Sequence, residues 1–78
     1  MDPQARIRKV IETVTKKPVT LAADESLFDS GVLDSFALAD AVTGLESEFG
    51  IKVPDADLNP RKFDSIARID EYIAQRLV

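Results

Sequence analysis

Apolar residues along this chain fall into three stripes of helical period, separated by two stretches that have none. Ile7, Val10, Ile11 and Val14 recur at i, i+3, i+4 and i+7, the spacing that puts side chains on one face of an amphipathic helix. Asp2-Pro3 opens that helix, with the aspartate as N-cap and proline at the first helical position. Pro18 ends it. The second stripe is Leu38, Val42, Leu45 and Phe49, with Asp34 or Ser35 as its cap and Gly50 as its C-terminal stop. Gly44 lies inside this helix and weakens it by up to about 1 kcal/mol relative to alanine. The third stripe is Ile66, Ile69, Ile73 and Leu77, flanked by Tyr72 and capped by Asp64 or Ser65.

The stretches between the stripes carry different signals. Val19 to Asp34 has no helical period, and a loop of this length in so small a domain implies function or packing by its own side chains. Leu21, Leu27, Phe28, Val32 and Leu33 are available for that packing, and Gly31 permits a turn that a Cβ resists. Val53-Pro54 opens the second connection, in which Asp55 to Phe63 reads as a short third helix, broken or redirected at Pro60. Ile51-Lys52-Val53 alternates, but it is too short for a strand. Helices with one apolar face each must bury them together. The pattern therefore predicts an all-α bundle of three main helices and one short one, with a long loop between helices 1 and 2. Residues 1–78 form a single domain.

Composition narrows the function. Seventy-eight residues lie near the lower end of what folds on one core without staples. There is no cysteine, so neither a disulfide nor a thiolate zinc site is available. There is no histidine either, which removes the usual general base and the commonest metal ligand at neutral pH. A Ser-His-Asp hydrolase is excluded, and no catalytic residue and no metal site is expected. Asp24, Glu25 and Asp29 lack EF-hand spacing. No apolar run approaches the roughly 20 residues that span a bilayer, and no basic-then-apolar leader opens the chain, so the expectation is a cytoplasmic monomer without membrane insertion.

The net charge of −4 argues against nucleic-acid binding, which needs clustered Lys and Arg. Between Leu21 and Ile51 there is no Lys or Arg, while Asp24, Glu25, Asp29, Asp34, Asp40, Glu46 and Glu48 all fall there. A charge run of this kind is either a plain solvated face or a docking surface for basic partners. Its coincidence with the following segment favours docking.

That segment is Leu27-Phe28-Asp29-Ser30-Gly31-Val32-Leu33-Asp34-Ser35-Phe36, a loop ending in a serine where a helix begins. A lone serine is not a nucleophile near neutral pH without a base, so Ser35 makes chemical sense only if another protein activates it. A helix N-terminus suits a phosphate, because its unpaired N–H groups and partial positive charge face the anion. Asp34, a like charge, opposes one there and calls for another role. On the outer face of this helix, Phe36, Ala39, Asp40, Thr43, Glu46 and Ser47 cannot all be core if Leu38, Val42 and Leu45 point inward. Phe36 is expected to be partly exposed as a partner contact. Ala39, Asp40, Thr43 and Glu46 form the acidic and small-residue surface beside it. Phe49, Phe63 and Tyr72 are expected in the core.

Followed through Leu38, Val42, Leu45, Glu46, Phe49, Gly50, Ile51, Val53 and Pro54, this segment resembles the acyl carrier protein family. That family comprises small helical proteins of fatty acid, polyketide, nonribosomal peptide and D-alanyl transfer pathways. The resemblance implies that Ser35 carries 4'-phosphopantetheine, installed from coenzyme A by a phosphopantetheinyl transferase that Asp34 helps to engage. It also implies a non-enzymatic role, holding an acyl or aminoacyl thioester for a cargo-loading ligase or acyltransferase and for downstream transferase or synthase enzymes. The borrowed thiol explains how a chain without cysteine holds a thioester.

The spacing from Pro54 to Ser65, with Phe63 two residues before that serine, is similar to stand-alone D-alanyl and peptidyl carriers. Phe36 replaces the family's usual Leu or Met, and Ala37 and Ser47 stand where fatty acid carriers are often acidic. The alternative is an unmodified helical interaction module in which Asp34-Ser35 only caps a helix. Leu38, Val42, Phe28 and Ile66 are the candidates to line an apolar cavity if the cargo is a long acyl chain.

Overall fold

A computed structural model describes residues 2–77. Its helices are α1 (Pro3–Thr15), α2 (Ser35–Phe49) and α3 (Ile66–Leu77), and there is no strand among the described residues. The apolar stripes became the helix faces they predict except at Leu77, with Val10, Val14 and Phe49 half-buried at the edge of the core. Ile7 and Ile11 of α1, Leu38, Ala41, Val42 and Leu45 of α2, and Ile66, Ile69, Tyr72 and Ile73 of α3 meet in one core. Full burial of such an aliphatic side chain contributes about 1.5–3 kcal/mol. Helix α1 packs against both α2 and α3. Val19, Leu27 and Leu33 between α1 and α2, and Ile51 and Phe63 of the second connection, fill the remaining core positions. The Phe63 and Tyr72 rings sit tilted with centroids 5.2 Å apart, a favoured aromatic geometry.

The helix ends follow from named residues. Asp2 caps α1, its carboxylate accepting the Ala5 N–H at 3.0 Å. At the other end the stop comes earlier than Pro18: Lys16 adopts the left-handed conformation (φ 58°) and its N–H bonds the Glu12 carbonyl. The proline acts at a distance, because it disfavours helical backbone at Lys17. The Glu12 carboxylate then accepts the Val19 N–H at 2.8 Å and draws Val19 into the core. Gly50 ends α2 with φ 67°, and Ser65 caps α3 by accepting the Arg68 N–H at 3.1 Å.

Two expectations are corrected. The short third helix is only a 3₁₀ turn at Asp55–Asp57. Pro60 lacks an N–H and pushes Asn59 out of helical backbone, so the turn cannot propagate. Ala56 and Leu58 are exposed, leaving no apolar face to bury. Leu77 does not extend the α3 stripe inward. It is 57% exposed, because the core ends at Ile73 and the last turn projects past it.

Gly44 has a packing role that its helix penalty conceals. A Cβ at this position would lie 2.9 Å from Val10 Cγ1 and 3.5 Å from Val14 Cγ2. Glycine is what lets α1 and α2 approach so closely.

Candidate functional site

The loop before α2 is folded by its own hydrogen bonds. The Ser30 N–H reaches the Ser26 carbonyl at 3.2 Å, the Gly31 N–H the Phe28 carbonyl at 3.1 Å, and the Leu33 N–H the Leu27 carbonyl at 3.0 Å. Gly31 makes the turn at φ 84°, a left-handed conformation that glycine adopts without strain. Leu27 and Leu33 are buried, and Phe28 and Val32 pack half-buried against the core. The loop is therefore anchored at both ends of its turn.

Asp34 follows in extended backbone and caps α2. Its Oδ1 accepts the Phe36 N–H at 3.0 Å and the Ala37 N–H at 2.8 Å. Both the hydrogen bonds and the partial positive charge of the helix end stabilise a carboxylate there. The like charge that looked out of place beside Ser35 thus has a local reason. Ser35 is the first residue of α2 and is exposed. Because Asp34 makes the cap, the Ser35 hydroxyl is not needed for it.

Phe36 is 88% exposed, well beyond the partial exposure expected of it. Ala39, Asp40 and Thr43 continue that exposed face of α2. Glu46 is different. It is half-buried, its carboxylate accepts the Val53 N–H at 2.8 Å, and its carbonyl accepts the N–H groups of Gly50 and Ile51. Its side chain fastens the end of α2 to the next connection, a role that no local sequence signal announces.

The acidic middle of the chain divides in the same way. Glu48 pairs with Arg6 at 2.8 Å, with the guanidinium 4.3 Å above the centre of the Phe49 ring, and Glu25 accepts the Ala22 N–H. Asp24, Asp29, Asp34 and Asp40 remain exposed. Lys17, just beyond the end of α1, donates from its Nζ to the Gly31 carbonyl at 3.1 Å.

No group of three or more metal-ligating side chains occurs among the described residues. Leu38, Val42 and Ile66 are packed into the core. Two surface pockets lie away from these residues, one along α3 lined by Arg61, Lys62, Arg68 and Arg76, the other over Gly44 between α1 and α2.

The second connection is held to α3 by a network the sequence did not reveal. The Tyr72 hydroxyl donates to Asp57 Oδ2 at 2.6 Å, and Lys62 Nζ donates to Oδ1 at 2.8 Å. Burial, helped by the bond to Asp57, pushes the Tyr72 phenol up to about 12. The bonds from Lys62 and Tyr72 hold the Asp57 carboxyl below its usual range.

A family model described as "Phosphopantetheine attachment site" matches residues 5–73. Among curated proteins, the D-alanyl carrier protein of Streptococcus thermophilus is 32% identical over 75 residues, covering 96% of this chain and 95% of that protein. The D-alanyl carrier protein of Streptococcus mutans matches with the same identity and coverage. That of Streptococcus suis is 35% identical over 69 residues, 88% of this chain and 87% of that protein.

Proposed function

The chain belongs to the phosphopantetheine-attachment family of carrier proteins, and on that premise we propose that Ser35 is its attachment residue and that its cargo is an aminoacyl group, D-alanyl or similar. It is a carrier and not a catalyst, and its cofactor is 4'-phosphopantetheine. The observation that carries the assignment is the division of labour at the start of α2. Asp34 supplies the cap, while Ser35 stands exposed one residue on, at the positive end of the helix.

In the attachment step Ser35 Oγ forms a bond to the β-phosphorus of coenzyme A, adenosine 3',5'-bisphosphate leaves, and the hydroxyl proton passes to a base of the phosphopantetheinyl transferase. Asp34 keeps α2 intact up to the modified residue and offers an exposed carboxylate to that enzyme. When bound, the phosphopantetheine group supplies the thiol for a thioester and a tether that raises its effective concentration at a docked active site.

Phe36, Ala39, Asp40 and Thr43 are the surface that the transferase, the cargo-loading ligase and the downstream acceptor enzymes read. Glu46 serves that surface indirectly, by holding the end of α2. The aminoacyl reading is supported by the D-alanyl carrier proteins among the relatives and by the spacing of Phe63 and Ser65. The reading includes a monomer working in the cytoplasm, where coenzyme A and ATP are available to its partners.

The test is to charge the phosphopantetheinylated protein with D-alanine, ATP and a D-alanine-activating ligase, following intact mass. The expected result is one added aminoacyl group that hydroxylamine removes, as it removes a thioester. Failure to charge, together with ready loading by a malonyl or fatty acyl transferase, overturns the aminoacyl assignment.

A further inference from the structure

Asp64 stands just ahead of α3, and with Ser65 serving as the cap its carboxylate is free for another task. That task is to hold the loop that leads to Ser35. Asp64 Oδ1 accepts the Ser26 hydroxyl at 2.6 Å and the Phe28 N–H at 3.4 Å, and the Asp64 carbonyl accepts the Leu27 N–H at 2.6 Å. Ser26 Oγ in turn accepts the Asp29 N–H at 3.0 Å. Leu27, so fixed, accepts the Leu33 N–H and the Ser30 hydroxyl on its carbonyl, and Leu33 is followed directly by Asp34. A second tether joins the Ala67 N–H to the Ala23 carbonyl at 2.9 Å.

This stretch has no helix or sheet ladder of its own, so its order comes from such bonds and from two buried leucines. A partner that must recognise Ser35 together with the loop binds more weakly when docking itself has to order the loop. We infer that Asp64 is a positioning residue for modification of Ser35, presetting the frame on which the serine is presented to the transferase. This rests on the attachment reading above. Asp64 touches neither the serine nor the incoming phosphate, so its removal weakens recognition rather than the chemical step.

The experiment uses the full chain with coenzyme A and a phosphopantetheinyl transferase, measuring initial loading rates against carrier concentration and amide hydrogen exchange in parallel. Asp64→Ala is expected to raise KM for the carrier about tenfold, the weight of one hydrogen bond to a charged acceptor. Its kcat is expected to stay within about twofold of wild type. Exchange should speed up at Leu27, Phe28 and Leu33 while the core amides of α1 and α3 keep their protection. Asp64→Asn retains an oxygen acceptor for Ser26 and Phe28 and should recover most of the loss in KM, short of the part owed to the charge.

Wild-type KM in Asp64→Ala, a loss confined to kcat, or an Asn variant as impaired as Ala each overturns the inference. Should Asp64→Ala fail to fold, Ser26→Ala breaks the same link without touching α3, and a wild-type KM in that variant overturns it equally. If the wild-type chain itself is not loaded, the attachment reading fails and this inference falls with it. Loading of wild type with indifferent variants removes the inference alone.

Discussion

Replacing Asp34 by alanine removes the acceptor for the N–H groups of Phe36 and Ala37, now bonded at 3.0 and 2.8 Å. Loss of an aspartate N-cap costs about 1 kcal/mol, and loss of its favourable position at the positive helix end adds about 0.5 kcal/mol at an exposed site. For a domain of this size the sum of about 1.5 kcal/mol lowers Tm by roughly 6–12 °C. Asp34→Asn keeps the acceptor oxygen and gives up only the charge, so its Tm should recover most of that loss. Circular dichroism melts at low ionic strength read this part. Loading by the transferase, measured well below both melting temperatures, reads the other part. If Asp34 also engages the transferase through its charge, the Asn variant folds nearly as well as wild type and still loads poorly. An unchanged Tm in Asp34→Ala refutes the capping energetics. Full recovery of loading in Asp34→Asn refutes the second role and leaves Asp34 as a cap only.

Other consequences are as specific. Phe36→Ser should leave stability within about 0.5 kcal/mol, as for any exposed position, yet weaken binding to a partner enzyme about tenfold, as loss of an aromatic anchor does. Undiminished affinity removes Phe36 from the interface. Gly44→Ala gains about 1 kcal/mol of helix propensity but drives a Cβ to 2.9 Å from a Val10 methyl. The valine is stiff on its helix and overpacking costs about 1–3 kcal/mol, so denaturant melts should show net destabilisation, relieved by adding Val10→Ala. A more stable Gly44→Ala contradicts the close approach of α1 and α2. Tyr72 is the only tyrosine and there is no tryptophan, so phenolate absorbance reports it alone. Its folded pKa is raised from 10.0 to about 12, so the stability it contributes is complete below about 10 and disappears as pH climbs toward 12. A midpoint of 10 in the folded protein refutes the burial of Tyr72 and its bond to Asp57, and Asp57→Asn should lower the midpoint only partway because burial is the larger cause.

Much of the fold is written in short-range patterns. Asp2-Pro3, Gly50 and the period of Ile7–Val14, Leu38–Phe49 and Ile66–Ile73 give the helices because caps and amphipathic faces are local properties. The turn at Gly31 and the helix start at Asp34-Ser35 are legible for the same reason, since their signals are consecutive. The remainder depends on what the chain meets when it folds. Glu46 looks like one more surface acid until Val53 turns back toward it. Gly44 looks like a weak point in α2 until Val10 and Val14 are laid across it. Asp57, Lys62 and Tyr72 are 5 to 15 residues apart with no period linking them, and only the turn redirected at Pro60 brings them together. The expected short helix stops at a 3₁₀ turn because the stretch between Pro54 and Pro60 has no apolar face to bury.

The central claim is that Ser35 carries the phosphopantetheine. Its most direct test is intact-mass spectrometry of the wild-type chain and of Ser35→Ala after incubation with coenzyme A and a promiscuous phosphopantetheinyl transferase. Wild type is expected to gain the mass of one phosphopantetheine, and Ser35→Ala, folded by circular dichroism, to gain nothing. A wild-type chain that stays unmodified, or an alanine variant that takes the full increment, contradicts it.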